Sequence, residues 1–475
     1  MNELTIKLST GEGERLYEQI YQHIKKEIQA GKFLQGEKLP STRSLAEQLL
    51  VSRTTIDMAY DQLLSEGYIE ARPYRGYFVC RLEDLFQLQE NKWQETKERN
   101  ATDQKVKESI LYDFSPTAVD MELFPFATWR KITRSILSDA SSGLFSLGEP
   151  QGDYDLRTTI VRYLHASRGV NCEPEQLVIG AGNDYLLMLL EKIFEKKQIV
   201  AMENPTYIRA YRIFQSFGYH VEALPVDRGG IKMESLEECD ADIAYIMPSH
   251  QYPTGRVMPI GRRMELLRWA AGKSDRYLIE DDYDSELRFK GKPIPSLQAS
   301  DTTGKVIYIG TFSKSIAPAI RISFMVLPKQ LLERYHKNCY FYSSTVSRID
   351  QSILNEFISG GYFERYLNKM RKFYRCKHDC LLEELKPFRK NFKISGEDAG
   401  LHVILSDKTG RRTEEELLAG ARTENIRLYG MSETLVENSG KEKDQAQVIL
   451  GFGSLSEEQI QSGIRALKKA WAQWL

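Results

Sequence analysis

One lysine of this chain is placed where it can attach a cofactor covalently. Lys314 follows the apolar run 306–310, which predicts a short buried strand, and hydroxyl residues and an arginine lie close to it. An amine in this setting can form a Schiff base with pyridoxal phosphate (PLP), while hydroxyls and a guanidinium hold the dianionic phosphate. We therefore assign the catalytic role to Lys314 and phosphate binding to Thr311, Ser313 and Arg321. The alternative is a solvated surface lysine at a strand end.

Upstream of this lysine, in residues 276–286, another apolar run is followed by a cluster of Asp and Glu residues. Ligand sites in α/β sheets lie outside the carboxyl ends of parallel strands. PLP needs one carboxylate to keep its pyridine nitrogen protonated and a donor for its ring phenolate. Solvated acids after a strand are the alternative. The run resembles a strand end of fold-type I aminotransferases, and the resemblance implies that Asp281 pairs with the pyridinium and Tyr283 with the phenolate.

A glycine turn resembles the phosphate cradle of the same family. Residues 178–184 join an apolar run to an apolar helical stretch. In the family, backbone amides of this turn and the helix N-terminus hold the phosphate. The resemblance therefore implies that Ala181, Gly182 and Asn183 bind the cofactor, although most glycine-rich turns are only turns.

Two more segments fit the family in the same chain order. Residues 203–209 resemble its E-x-P-x-Y segment, in which Tyr207 would stack on the pyridine ring. Residues 247–255 resemble its strand-end N-P-T-G segment, with Tyr252 in place of the usual asparagine. That departure puts ordinary transaminase chemistry in doubt but leaves cofactor binding intact.

Residues 15–80 resemble a winged helix-turn-helix of the GntR type. Apolar residues recur at helical spacing from 17 to 28, Ser41 is a natural N-cap, and residues 51–56 begin a second helix. Residues 75–79 predict a hairpin tip and a returning strand. The first residues of a recognition helix reach base edges and phosphates, and Arg53 can bond a guanine edge bidentately. The expected DNA-binding residues are Ser41, Arg43, Ser52, Arg53, Thr54, Thr55, Arg75 and Gly76.

The charge of this segment tests the DNA-binding interpretation. The first 80 residues contain ten Lys and Arg against eleven Asp and Glu, so they have no net basic footprint. The arginines, however, lie on the expected DNA-facing elements, and several acids lie before or on the first helix. We therefore expect strongly salt-dependent DNA binding. A small helical cap on an enzyme is the alternative.

Together the two halves resemble the MocR subfamily of GntR regulators, and within it the GabR-like proteins. The resemblance implies an α/β fold class: a winged helix-turn-helix (1–80), a linker (81–111) and a PLP-dependent fold-type I aminotransferase-like domain (112–475). The last contains a small α+β subdomain from about 345 to 475. It also implies a domain-swapped homodimer that binds double-stranded promoter DNA, in direct repeats.

Composition agrees with a multidomain globular protein. The chain has 475 residues and is 41% hydrophobic, and neither a signal peptide nor an 18-residue apolar run is visible. The six cysteines are scattered, as expected of reduced thiols in the cytoplasm. Cys376 and Cys380 share a face of a predicted helix with His378 nearby, but two ligands do not make a structural zinc site, so we expect no metal.

The sequence leaves the effector open. Arg209 is a candidate for holding the carboxylate of an amino acid. GabR-like proteins carry a second arginine just after a Gly-Met-Ser segment, where this chain has Glu433, and a carboxylate repels an acid. A basic amine, an amino alcohol or PLP itself is then favoured as the signal. Three functions remain: a PLP-dependent regulator, an aminotransferase with an accessory domain, and a DNA-binding protein whose PLP site is vestigial or only structural.

Overall fold

The computed structural model describes residues 6, 8, 15–80, 110–138, 142–196, 198–289, 294–436 and 446–475. The described chain forms two compact units, one on each side of the undescribed stretch 81–109. The expected linker therefore lies almost wholly outside the described residues, and its boundaries stay a prediction.

The N-terminal unit contains three helices and a two-stranded hairpin among its described residues. The elements are α1 (Leu16–Gln29), α2 (Thr42–Leu49), α3 (Arg53–Ser65), β1 (Ile69–Arg72) and β2 (Gly76–Val79). One apolar face of each helix packs into a shared core that includes Ile24, Leu45 and Ile56. Helix starts follow the sequence signals: the Ser41 hydroxyl accepts the backbone N–H of Ser44 at 3.1 Å.

The second unit contains a large mixed sheet and a smaller antiparallel sheet. Its strands are β3 (Tyr112–Asp113), β4 (Leu177–Gly180), β5 (Ile199–Asn204), β6 (His220–Asp227), β7 (Gly230–Ile231), β8 (Ile243–Ile246), β9 (Tyr277–Asp282), β10 (Val306–Thr311), β11 (Ser323–Val326), β12 (Phe392–Ser395), β13 (His402–Asp407), β14 (Ile426–Arg427), β15 (Tyr429–Gly430) and β16 (Gln447–Gly451). The large sheet has the order β4-β11-β10-β9-β8-β5-β6-β7. The small sheet has the order β12-β13-β16-β15, and β3 pairs with β14.

Helices flank these sheets, as expected when strands buried on both faces alternate with crossovers. They are α4 (Phe126–Ser138), α5 (Tyr154–Arg168), α6 (Asn183–Phe194), α7 (Ile208–Ser216), α8 (Met233–Glu238), α9 (Ile260–Ala271), α10 (Lys329–Asn338), α11 (Arg348–Ser359), α12 (Tyr362–Glu384), α13 (Glu414–Arg422) and α14 (Glu457–Ala470). None of the helices in the described ranges combines the length and apolar composition that crossing a membrane requires.

The topology of the large sheet explains where the polar residues of the sequence motifs lie. Strands β5, β6, β8, β9 and β10 run parallel, and β4 runs the same way because β11 is antiparallel to both of its neighbours. The carboxyl ends of β4, β5, β8, β9 and β10 therefore meet at one edge. Each of the five motifs in the sequence ends or follows one of these strands, so the sheet gathers all five at that edge.

Candidate functional site

A cavity of about 200 Å³ lies at this edge of the large sheet; we call it the cofactor cavity. It is lined by ten of the eleven residues that the sequence analysis assigned to cofactor or effector binding. They are Gly182, Asn183, Tyr207, Arg209, Asp281, Tyr283, Thr311, Ser313, Lys314 and Arg321. Ala181 is the exception: its N–H donates to the Thr345 hydroxyl at 3.0 Å, and it does not line the cavity. The folded chain thus brings residues up to about 140 positions apart into one site.

Lys314 reaches this cavity from the loop after β10. Its Nζ donates to the carbonyl oxygen of Pro116 at 3.2 Å and lies 5.8 Å from the centroid of the Tyr283 ring. Burial lowers the pKa of this amine, and the Asp284 carboxylate opposes that shift. A lowered pKa leaves more of the amine neutral at physiological pH, and the neutral amine is the nucleophile.

Asp281 is a buried acid near the end of β9. Its Oδ2 accepts a hydrogen bond from the Tyr245 hydroxyl, and its Oδ1 lies 3.5 Å from the side-chain nitrogen of Asn183. Burial raises the pKa of Asp281 to about 7, with the Asp282 and Asp284 charges acting in the same direction. Among the described residues no cation pairs with it. A protonated ring nitrogen is the partner that this carboxylate lacks, so the position fits the pyridine of PLP.

The phosphate end of the site is built around the N-terminus of α6. Gly182 precedes the helix with φ of +92°, a conformation that glycine adopts readily, and a Cβ there would overlap the Arg321 guanidinium. The first N–H groups of a helix have no partners within the helix and attract anions. These groups, the guanidinium and the hydroxyls of Thr311 and Ser313 line the same cavity, which fits a phosphate dianion.

Both arginines of the site contact one carboxylate that the sequence analysis overlooked. Oδ2 of Asp184, in the first turn of α6, accepts from the guanidinium of Arg209 and from Nη2 of Arg321, the latter at 3.4 Å. Arg209 is exposed, and its charge is partly compensated by the carboxylate that it shares with Arg321. A carboxylate ligand at Arg209 must therefore compete with Asp184.

A buried histidine fixes the hydroxyl of Tyr283. This hydroxyl lies 2.9 Å from Nδ1 of His250, and Nδ1 lies 2.9 and 3.0 Å from the two oxygens of Asp284. Burial raises the pKa of Tyr283 well above its usual value. The tyrosine is therefore held as a neutral donor at the cavity wall. The sequence analysis did not assign a role to either residue, although His250 lies in the segment 247–255 and Asp284 in the segment 276–286.

A second cavity of about 220 Å³ adjoins the first, and we call it the side cavity. The two share Thr117, Tyr207, Arg209 and Tyr252. The far wall of the side cavity includes Glu433, from the short helical turn after β15. A ligand in the cofactor cavity can therefore extend toward Glu433.

The predicted DNA-binding residues lie on α2, α3 and the hairpin of the N-terminal unit. The side chains of Arg43 and Arg53 are 82% and 70% exposed and lie near Glu47 and Asp57, at 3.2 and 3.7 Å. Both arginines line one groove, whose rim includes Leu50. Leu50 is 92% exposed, and the sequence analysis did not assign this apolar side chain to the DNA-binding surface.

The remaining predicted DNA-binding residues cap and flank these elements. Ser52 is the N-cap of α3: its Oγ accepts the Thr55 N–H at 3.2 Å and lies 2.8 Å from the Thr55 hydroxyl. Thr54 is exposed in the first turn of α3. Arg75 and Gly76 are exposed at the hairpin turn and at the start of β2. The first turn of α3 thus presents short polar side chains and one long cation, as a recognition helix does.

Comparison with known families agrees with both units. The family described as "Bacterial regulatory proteins, gntR family" matches residues 16–79, and "Aminotransferase class I and II" matches residues 119–441. Kynurenine aminotransferase from Pyrococcus horikoshii superposes with a TM-score of 0.67 at 25% identity, covering 77% of this chain and 92% of that structure. An archaeal alanine:glyoxylate aminotransferase gives 0.68 at 26%, covering 77% and 91%. The second unit therefore has the fold-type I aminotransferase fold, whose cofactor is PLP.

Full-length relatives combine the same two units. The uncharacterized HTH-type transcriptional regulator YdeL of Bacillus subtilis is 39% identical over 96% of each chain. The probable rhizopine catabolism regulatory protein MocR of Rhizobium meliloti is 30% identical over 96% of this chain and 94% of that one. The chain thus belongs to the MocR/GabR-like subfamily of GntR-type transcriptional regulators, which join a DNA-binding winged helix-turn-helix to an aminotransferase-like PLP-binding unit.

Proposed function

We propose that this regulator binds promoter DNA through residues 15–80 and alters that binding when the occupancy of the cofactor cavity changes. One observation supports this above all others. A chain with an exposed recognition helix also gathers Lys314, Asp281 and the N-terminus of α6 around a single cavity. A metabolic enzyme does not require a recognition helix, which argues against an aminotransferase with an accessory domain. A purely structural unit does not require a partly desolvated nucleophilic amine, which argues against a vestigial site.

The residues of the cavity have separate tasks in this proposal. Lys314 offers its neutral amine to the aldehyde carbon of the cofactor. Asp281 holds the proton of the ring nitrogen, and the Tyr283 hydroxyl donates to the ring phenolate. Arg321 and the amides at the start of α6 bind the phosphate, while the Tyr207 ring packs on the pyridine. When bound, PLP supplies an electron-withdrawing ring that weakens bonds at the carbon next to an attached amine.

The hydrogen bond between Lys314 and Pro116 connects the cofactor cavity to the beginning of the second unit. Pro116 is buried and lies a few residues after β3, at the start of the second unit. Phe114 anchors this segment, donating to the Arg427 carbonyl at 3.0 Å and accepting from Gly451 at 2.8 Å. Attachment of Lys314 to the cofactor would draw Nζ away from the Pro116 carbonyl, and a buried carbonyl without a donor is unfavourable.

We therefore expect the segment at Pro116 to shift when the cofactor binds, because the shift would let its carbonyl find another donor. In sequence, Pro116 comes shortly after residues 81–109, which join the DNA-binding unit to the second unit. We therefore propose that a shift of Pro116 is transmitted along the chain to the DNA-binding unit. A ligand shifts such an equilibrium only by the difference in its affinity for the two states. The Lys314–Pro116 hydrogen bond would supply such a difference if cofactor attachment breaks it.

We further propose that the protein acts as a domain-swapped homodimer on direct repeats, in the cytoplasm. Phe145, Leu147 and Phe341 of the second unit are exposed in the single chain by 73%, 89% and 73%. Large exposed apolar side chains of this kind favour association with a second copy. All six cysteines are free thiols, which fits a reducing compartment. Sedimentation of the PLP-bound protein as a dimer, and protection of two equally oriented half-sites, are the expected results.

One experiment separates the regulator from an enzyme with an accessory domain. Genomic fragments captured by the full-length protein are sequenced, and the same preparation is assayed for multiple-turnover transamination with a panel of amino donors and 2-oxo acids. Recovery of specific promoter fragments without sustained turnover supports the regulator. Sustained turnover without selective DNA capture contradicts it.

A further inference from the structure

The side cavity has a charge pattern that restricts the effector, an inference that rests on the proposed function. Two charged side chains line this cavity, Arg209 and Glu433. Arg209 is also bonded to Asp184, which it shares with Arg321, so its positive charge is partly compensated within the protein. Glu433 is exposed; its Oε1 lies 3.4 Å from the Gly430 N–H, and within the described ranges it forms no ion pair. The uncompensated charge at the side cavity is therefore negative.

Aromatic rings strengthen the preference for a cation. Tyr207 and Tyr252 meet edge to face at 6.4 Å between ring centroids and line both cavities. Burial and the nearby Glu433 charge raise the pKa of Tyr252 to about 12, so its ring stays neutral beside that carboxylate. Tyr429 also lines the side cavity, but the Arg427 guanidinium already lies 5.1 Å from its centroid. Because Tyr207 is assigned to the pyridine ring, Tyr252 is the ring available to a cationic ligand.

A carboxylate effector meets the opposite conditions. At Arg209 it must share the guanidinium with Asp184, and any part of it that enters the side cavity approaches Glu433. The carboxylate of the effector would be repelled by Glu433 at short range. Its possible partner, Arg209, already pairs with Asp184. The site therefore disfavours ω-amino acids and ordinary α-amino acids.

We propose that the effector is a primary amine bearing a second cationic nitrogen, such as an α,ω-diamine. Its primary amine enters the cofactor cavity, and its second cation rests between Glu433 and the ring of Tyr252. The entering amine replaces the Lys314 nitrogen on the aldehyde carbon of the cofactor. One carbon–nitrogen bond would form as the other breaks, and the hydrogens that the entering nitrogen gives up would pass to the Lys314 nitrogen, which is released as an amine. Lys314 is then again free to donate to Pro116.

The test uses the full-length PLP-bound protein and matched ligands. Diamines of three, four and five carbons are compared with monoamines of the same length and with 4-aminobutanoate, by titration calorimetry and by the visible absorption of the cofactor. We expect the preferred diamine to bind about three- to tenfold more tightly than its monoamine, from one partly exposed ion pair and one cation–π contact. The Glu433→Gln variant should lose that advantage and bind the monoamine unchanged. Glu415→Gln, a change at an exposed carboxylate on α13 outside the side cavity, should keep it.

Charge reversal gives a second, independent arm. Glu433→Arg should turn the preference from the diamine to 4-aminobutanoate. Tightest binding of 4-aminobutanoate by the unchanged protein overturns the inference, and so does an equal effect of the Glu433 and Glu415 changes. If no amine binds but PLP alters DNA affinity, the inference fails while the proposed function stands. If PLP binds but leaves DNA affinity unchanged, the proposed function fails with it.

Discussion

The buried Asp281 carboxylate should destabilise the PLP-free protein at neutral and alkaline pH. It is buried without a cationic partner among the described residues, and its pKa is raised from 3.8 to about 7. The Asp281→Asn change keeps the side-chain shape and an oxygen that accepts from Tyr245, but it removes the charge. We therefore expect this variant to be more stable than the unchanged protein when PLP is absent, and to bind PLP more weakly.

The sign and size follow from proton linkage. Between pH 4 and 7 the folded protein keeps a proton on Asp281 that the unfolded chain has lost, so the free energy of unfolding falls as pH rises through this window. A shift from 3.8 to about 7 corresponds to a loss of about 4 kcal/mol, complete above pH 7. Between pH 5 and pH 8 the loss is about 3 kcal/mol. Burial raises the pKa of Glu203, Glu280 and Glu286 to about 7 as well, but these contributions cancel between variant and unchanged protein.

Urea unfolding of the full-length protein without PLP measures this difference. Tryptophan fluorescence reports mainly on the second unit, because four of the five tryptophans lie in it and none lies in residues 15–80. At equal protein concentration, the stability advantage of Asp281→Asn should be about 3 kcal/mol larger at pH 8 than at pH 5. Asp155→Asn, at an exposed position on α5, should show the same stability relative to the unchanged protein at both pH values.

Two results would refute this reasoning. An Asp281→Asn advantage that does not change with pH means that the buried carboxylate carries no cost of ionisation. Equal stabilisation of variant and unchanged protein by saturating PLP means that the cofactor does not pair with Asp281, because a ligand that binds the folded state stabilises it according to its affinity.

The other predictions concern individual side chains. Lys314→Ala should abolish the visible PLP band and its fixation by borohydride, whereas Lys305→Ala, at a buried lysine outside the cavity, should keep both; fixation that survives Lys314→Ala shows that another lysine reacts. Arg53→Ala should weaken specific DNA binding and reduce its salt dependence without changing the cofactor spectrum, and unaltered binding contradicts its role. Arg321→Ala should weaken PLP binding about tenfold or more through the loss of a charged hydrogen bond, while exposed Arg365→Ala leaves it unchanged; equal effects refute phosphate binding.

Local sequence signals were sufficient to predict the elements that carry the site. The apolar runs before Thr311 and Asp281 became the buried strands β10 and β9, because strands buried on both faces need continuous apolar residues. The cap of α2 at Ser41 also formed where the sequence predicted it, and α3 begins within the predicted segment 51–56 with Ser52 as its cap. The parallel order of the sheet then accounts for the convergence of the motifs at one edge.

The contacts that the sequence did not predict join residues far apart in the chain. Lys314 and Pro116 are separated by 198 positions, and Asp184 and Arg321 by 137, so no local pattern relates them. Tyr245 lies in a strand that alternation alone describes as core, and its hydroxyl bond to Asp281 depends on the pairing of β8 with β9. Such partners follow from sheet order and register, which a single sequence does not specify.

The most direct test of the account is the affinity of the full-length protein for its selected promoter fragment, measured by fluorescence anisotropy at fixed salt with and without saturating PLP. If occupancy of the cofactor cavity controls DNA binding, PLP should change this affinity severalfold in the unchanged protein and leave it unaltered in Lys314→Ala. Equal affinities with and without PLP in the unchanged protein, or an equal PLP effect in Lys314→Ala, would contradict the claim that occupancy of the cofactor cavity controls DNA binding.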